Sequence, residues 1–162
     1  MKHILFIRHA ESSHGNFILP DHERSLTEEG ILDAKRISRK LVDENIFPEK
    51  FISSSAKRAI DTATIMHENL NNHTDIEIRK EIYANGRSGV ENVIFNTLDN
   101  LNFIVIFGHN PSFKEIYCDI SSKPYSKFPT CAAALCSFNV KKWSQFSIRG
   151  SELEYYNDPK NI

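Results

Sequence analysis

Apolar residues fall in short uninterrupted runs that alternate with longer stretches of helical period. Ile4-Leu5-Phe6-Ile7, Phe51-Ile52-Ser53, Ile76-Glu77-Ile78 and Phe103-Ile104-Val105-Ile106-Phe107 are brief, rich in β-branched and aromatic residues, and end at polar or small residues. Runs of that kind predict strands. The last lacks any polar alternation, which fits a central strand covered on both faces. Between the runs, Ile31, Ala34, Ile37, Leu41 and Val42 recur at helical spacing, followed by Ile65, Met66 and Leu70, and later by Val90, Val93, Ile94, Thr97, Leu98 and Leu101. Ser25 or Thr27 can cap the first of these helices, with Glu28 and Glu29 complementing its dipole, and Ser54 or Ser55 can cap the second. Asn85 to Gly89 reads as a turn, and Pro111 suits the start of a helix running to about Ile120. Ala132 to Val140 is a further strand with Trp143 and Phe146 packing after it, and Leu153 to Tyr156 is an edge strand or a tail. Strands alternating with helices predict an α/β fold: a three-layer α/β/α sandwich around a mostly parallel central sheet, in one domain over residues 1–162.

The ends of the strand runs carry the chemistry. Ile7 is followed by Arg8-His9, and Phe107 by Gly108-His109. In open α/β sheets, ligands bind in the crevice outside the carboxyl ends of the strands, so a cation beside an imidazole there suggests an anion site with a nucleophile or acid/base group. Arg58 falls in the first turns of the second helix, near unsatisfied backbone N–H groups that favour anions. Ala10 to Leu26 has no period and reads as a long loop at the same end, bearing Glu11, Ser12, His14, Asn16, His22 and Arg24. Glu81 follows the third strand.

Composition limits the alternatives. A net charge of -1 gives no argument for nucleic acid or an anionic membrane, so any basic patch is local. No apolar run approaches the roughly 20 residues that span a bilayer. Met1-Lys2-His3 leads straight into a strand without a signal-peptide pattern, which gives a cytoplasmic expectation. Cys118, Cys131 and Cys136 lack C-x-x-C spacing and read as buried reduced thiols. Neither G-x-x-x-x-G-K-[ST] nor G-x-G-x-x-G occurs.

The ordered set Arg8-His9, Arg58-Ala59 with Thr62-Ala63, and Gly108-His109 resembles the histidine phosphatase superfamily, whose motifs are a strand ending in R-H-G, an S-P-x-x-R-A-x-x-T-A helix start and a later strand ending in G-H. Ala10 stands where that pattern has glycine and Ser55 where it has proline. Asp21-His22-Glu23-Arg24-Ser25-Leu26-Thr27-Glu28-Glu29-Gly30 is similar to the D-x-x-R-x-L-T-x-x-G segment of the short SixA-type branch. Phe128-Pro129-Thr130, Trp143 and Asp158-Pro159-Lys160 extend the resemblance to nearly the whole chain.

The resemblance implies a phosphatase that works through phosphorylated His9, with Arg8, Arg58 and His109 around the phosphoryl group and Glu81 matching by position the acid that protonates the leaving group. Guanidinium forks suit that task because phosphoryl transfer is mostly positioning and electrostatic stabilisation. Ser12, Asn16 and Arg24 are candidates for substrate binding, and neither metal nor cofactor is implied. The expected partner is a phosphate-bearing substrate, with phosphohistidine on another protein favoured. A small-molecule phosphomonoesterase and a non-catalytic phosphate-binding module are the alternatives. Attack requires neutral His9, so activity is expected to fall on acidification through about 6.5 for an unperturbed imidazole.

Overall fold

The computed structural model describes residues 1–14, 18–70 and 73–162. In chain order the elements are β1 (Lys2–Arg8), α1 (Glu28–Asp43), β2 (Lys50–Ser54), α2 (Lys57–Asn69), β3 (Ile76–Arg79), α3 (Glu81–Ala84), α4 (Gly86–Phe95), β4 (Phe103–Gly108), α5 (Ser112–Ser121), β5 (Ala133–Phe138) and β6 (Ser151–Asn157). The six strands form one sheet in the order β3-β2-β4-β1-β5-β6. Its first four strands run parallel, whereas β5 lies antiparallel to β1 and β6 antiparallel to β5. The sheet is therefore mixed, with a parallel four-stranded part, and the Leu153–Tyr156 stretch belongs to an edge strand.

The uninterrupted apolar runs follow from burial of both sheet faces. Ile4 and Phe6 of β1 and Ile104 and Ile106 of β4 pack with Val90, Val93 and Ile94 of α4 and Ile116 of α5. Leu5, Ile7, Val105 and Phe107 point the other way, to Ala34, Ile37 and Leu41 of α1 and Ala63 and Met66 of α2. Side chains that alternate between faces must then be apolar at every position.

Two element boundaries differ from those the periodicity predicts. The 85–89 turn is largely helical, because α4 begins at Gly86, whose φ of 57° only glycine adopts freely. The helix ends at Phe95 rather than continuing through Leu101. Beyond it, the carbonyls of Asp99 and Leu101 accept hydrogen bonds from buried Lys2 Nζ at 2.6 and 2.8 Å, and Trp143 Nε1 donates to Leu101 O at 2.9 Å. Thr27 caps α1, its hydroxyl accepting from Gly30 N at 3.0 Å. By contrast α2 has Ala56 at its cap without a side-chain bond, and Ser54 Oγ instead accepts from Ala56 N at 3.2 Å.

Gly30 shows why the loop and α1 travel together. A Cβ there would sit 2.2 Å from Glu11 O, so only glycine lets the first turn of α1 lie against the chain just after β1. Thr27 N donates to the same carbonyl at 3.0 Å, and Ser12 bridges to Leu26. At Gly108 the space for a Cβ is filled by the Phe113 ring, 2.6 Å away, so that glycine serves packing of α5 under the strand end. Cys118, Cys131 and Cys136 are buried free thiols, as the spacing suggests. No helix among the described residues is long and apolar enough to cross a membrane.

Candidate active site

Register brings the two histidines together. Parallel pairing of β1 with β4 sets Arg8 opposite Gly108, so His9 and His109 emerge side by side one residue later, their ring centroids 5.2 Å apart. The backbone beneath them is fixed at several points. His9 N donates to Gly108 O at 3.0 Å, Cys131 N lies 3.1 Å from both Arg8 O and His9 O, and Ala10 N donates to Thr62 Oγ1 at 3.0 Å. Thr62 in turn donates to Arg58 O at 2.7 Å, tying the turn after β1 to the first turns of α2.

His9 is buried and its Nδ1 lies 2.8 Å from Ala10 O, which makes Nδ1 the protonated nitrogen and leaves the lone pair on Nε2. Burial lowers its pKa, the bond to Ala10 O opposes that, and the charges of His109, Arg58 and Arg8 lower it further, to about 3. His109 is pushed down to about 4, by burial first and then by the charge of Arg58. Both rings are thus neutral near pH 7. His109 Nε2 lies 2.7 Å from Ser54 Oγ, while its Nδ1 is buried without a partner among the described residues.

Arg58 reaches His9 from α2. Its Nε donates to His9 Nε2 at 3.3 Å. Arg8 Nη1 donates to Phe128 O at 3.1 Å, and its Nε is a second buried donor without a partner among the described residues. Burial and the nearby Arg58 charge both pull the pKa of Arg8 down. Unpaired buried donors are costly unless something else completes them. Two guanidinium groups and an imidazole N–H around a neutral imidazole nitrogen form an electrostatic setting suited to a tetrahedral oxyanion.

These groups line a cavity of about 180 Å³ that also includes Ser12, His14 and Arg24. Arg24 Nη1 bonds Ser12 Oγ, Ser13 O and His14 Nδ1 at 3.1 to 3.2 Å. Ser12 and Arg24 are therefore brought to the same pocket as Arg8, His9, Arg58 and His109. Asn16 lies outside the described residues.

Glu81 is placed differently from the role that its position after β3 suggests. It is not among the residues lining the cavity. Arg79 grips its carboxylate through both Nε and Nη2, and that hydrogen bonding chiefly lowers its pKa. A carboxylate so held is poorly set to donate a proton.

Three contributors were not singled out from the sequence. Asp21 bonds Arg58, Arg24 and Tyr83, and Ser54 bonds His109. Asp21 does open the D-x-x-R segment, and Ser54 stands at the end of β2, so both had a local signal; Tyr83 had none. Among the described residues no group of three or more His, Cys, Asp or Glu side chains could hold a metal ion.

A model of the histidine phosphatase superfamily (branch 1) matches residues 4–83, a span that includes Arg8, His9 and Arg58. An uncharacterized chloroplastic protein of Arabidopsis thaliana is 26% identical over 160 residues, covering 92% of this chain and 72% of that protein. The candidate phosphohistidine phosphatase SixA of Agrobacterium tumefaciens superposes with a TM-score of 0.80 at 22% identity, over 98% of both chains. The protein histidine phosphatase SixA complexed with tungstate gives 0.78 at 17% identity, again over 98% of both chains. At such identities the structural likeness concerns the fold.

Proposed function

We propose that this chain, which belongs to the histidine phosphatase superfamily and is a phosphatase-type hydrolase, works through a covalent phosphoryl group on His9 and takes phosphohistidine on a partner protein as its preferred substrate. The observation that carries the mechanism is the state of His9: a buried neutral ring with Nδ1 bonded to Ala10 O and Nε2 facing the donors of Arg58. Nε2 attacks phosphorus, a P–Nε2 bond forms, and the bond from phosphorus to the substrate's imidazole nitrogen breaks with its electron pair staying on that imidazole. Arg8, Arg58 and the His109 N–H stabilise the peripheral oxygens. Water then attacks phosphorus, the P–Nε2 bond breaks, and inorganic phosphate leaves with His9 restored.

Two features support the choice of substrate. A protonated imidazole leaves as a neutral molecule, whereas an alkyl ester must expel a far more basic alkoxide and leans on a placed general acid. Glu81 is occupied by Arg79 and is not among the residues lining the cavity. The cavity of about 180 Å³ suits a phosphoryl group and the arms that hold it, with the rest of the substrate outside. SixA, the comparison structure solved with tungstate, is a protein histidine phosphatase, which agrees with this reading. A reducing, cytoplasmic setting is the part of the reading that the three buried free thiols support.

The test compares kcat/KM on a phosphohistidine protein with a panel of sugar and nucleotide phosphates, for wild type and Glu81→Gln. The phosphohistidine protein is expected to be preferred and little affected by the substitution. Preference for a small ester, with a loss of about 10²–10⁴-fold on Glu81→Gln as for a true general acid, would make the protein a metabolite phosphatase.

A further inference from the structure

Arg58 presents two hydrogen-bonding edges, and they face different residues. The end-on edge, formed by Nη1 and Nη2, is taken by Asp21: Nη1 donates to the backbone carbonyl of Asp21 at 2.8 Å and Nη2 to its Oδ2 at 3.2 Å. The side-on edge begins with Nε, which points at His9 Nε2 from 3.3 Å. A guanidinium has five N–H donors in a rigid plane. Fixing one edge therefore fixes where the other points.

Asp21 is itself anchored. Tyr83 Oη donates to Oδ2 at 2.8 Å, and Arg24 Nε donates to Oδ1 at 3.0 Å. Arg58 is nearly buried while the Asp21 side chain remains half exposed, so the carboxylate closes over the outer side of the arginine. Burial works to raise the Asp21 pKa, and the bonds from Tyr83 and Arg58 with the charges of Arg58 and Arg24 outweigh it, holding the group ionised at about 2.

We infer that Asp21 is a positioning residue for the phosphatase reaction: it holds the end-on edge of Arg58 so that the side-on edge, Nε–H with the adjoining Nη2 hydrogen, is aimed at the phosphoryl group on His9. The inference rests on the phosphatase reading. It also explains how Arg58 keeps a fixed plane beside a like-charged Arg8. Asp21 neutralises charge on the side of Arg58 away from the nucleophile, and its bond to Arg24 couples the two arginines through one carboxylate. The opposite role would be an anion mimic that competes with phosphate for Arg58. The bonded edge argues against it, because Nε remains directed at His9.

The two roles give opposite results in Asp21→Asn and Asp21→Ala. Positioning predicts that kcat falls by about 10²-fold, the loss expected when a reacting group is misplaced by about 1 Å. Tungstate affinity, measured by calorimetry, should be unchanged or tighter, since a negative charge near the anion is gone. Tyr83→Phe should lower kcat less, in the same direction. An independent readout is the side-chain ¹⁵N–¹H spectrum, in which the Arg58 Nε–H signal, identified by its loss in Arg58→Gln, should be sharp in wild type and broadened in Asp21→Ala. A kcat that stays within about twofold or rises, or an Arg58 signal that does not change, overturns the inference. Should the wild-type protein hydrolyse no phosphate compound, the phosphatase reading fails instead, and the Nε–H spectrum still decides whether Asp21 holds Arg58.

Discussion

Ser54 Oγ lies 2.7 Å from Nε2 of His109 and at the same time accepts a hydrogen bond from Ala56 N. Ala56 N takes one of the hydroxyl's two lone pairs, and Nε2 is the acceptor that the described contacts place within reach of the serine's own hydrogen, so we assign that hydrogen to Nε2. The neutral ring then carries its proton on Nδ1, the atom that is buried and, among the described residues, unpartnered beside the nucleophile. One hydroxyl thereby selects the tautomer that can donate to a phosphoryl oxygen. Ser54→Ala should fold normally and lose at least an order of magnitude in kcat, approaching the roughly 10²–10³-fold seen when a preorganised donor is removed. Steady-state kinetics with imidazole ¹⁵N shifts check this; unchanged kcat and an unchanged His109 tautomer would contradict it.

The site's pH response follows from burial. His9 and His109 are held at about 3 and about 4, so the acid limb does not sit near the unperturbed value of about 6.5. Imidazole NMR of the free protein should show both rings neutral from pH 8 to pH 5. A midpoint near 6.5 for either would contradict the geometry.

Stability carries the same signature with a definite sign. Below about 6.5 the unfolded chain protonates these histidines while the folded chain does not, so the unfolded state binds more protons and stability falls as pH falls. The penalty grows until pH reaches the folded values, each histidine adding up to about 1.4 kcal/mol per pH unit. Denaturant unfolding between pH 7 and pH 5 should therefore show a loss that is smaller in His9→Ala. An equal slope in both proteins would contradict the assignment.

Gly30→Ala tests how the loop is held. The added methyl would meet Glu11 O at 2.2 Å, backbone against backbone, where neither side has a flexible end to yield. Overpacking of this kind costs about 1–3 kcal/mol, and here it also displaces the segment bearing Ser12 and Arg24. Expected results are a lower Tm and a raised KM. Wild-type values for both would show that the contact relaxes without consequence.

The strand ends were legible because burial on both faces forces unbroken apolar runs, and the first polar residue after each run marks the crevice. That reasoning reaches Arg8, His9 and His109 directly, and Arg58 through the start of α2. It fails where a partner comes from elsewhere in the chain. Tyr83 joins the site through its bond to Asp21 and its edge contact with the His109 ring, and no local pattern shows either. The limits of α4 were misread because Asp99 and Leu101 spend their carbonyls on Lys2 and Trp143, which are far away in sequence. The partner of Glu81 is a different case. Glu77 and Arg79 are spaced two apart on β3, which puts their side chains on one side of the strand, whereas Glu81 opens α3 and meets Arg79 just past the strand end, so that Arg79 bonds both acids. Alternation along the strand reaches only the Glu77–Arg79 pair, and the change to helix at Glu81 hides its bond to Arg79 from the sequence.

The covalent step on His9 is the centre of this account, and rapid-quench labelling tests it most directly. Wild-type protein mixed with a ³²P-labelled phosphohistidine protein and stopped with alkali within the first turnover should carry acid-labile, base-stable phosphate on His9. The label should be missing from His9→Ala. Label on another residue, or hydrolysis of substrate by His9→Ala at the wild-type rate, would contradict the mechanism.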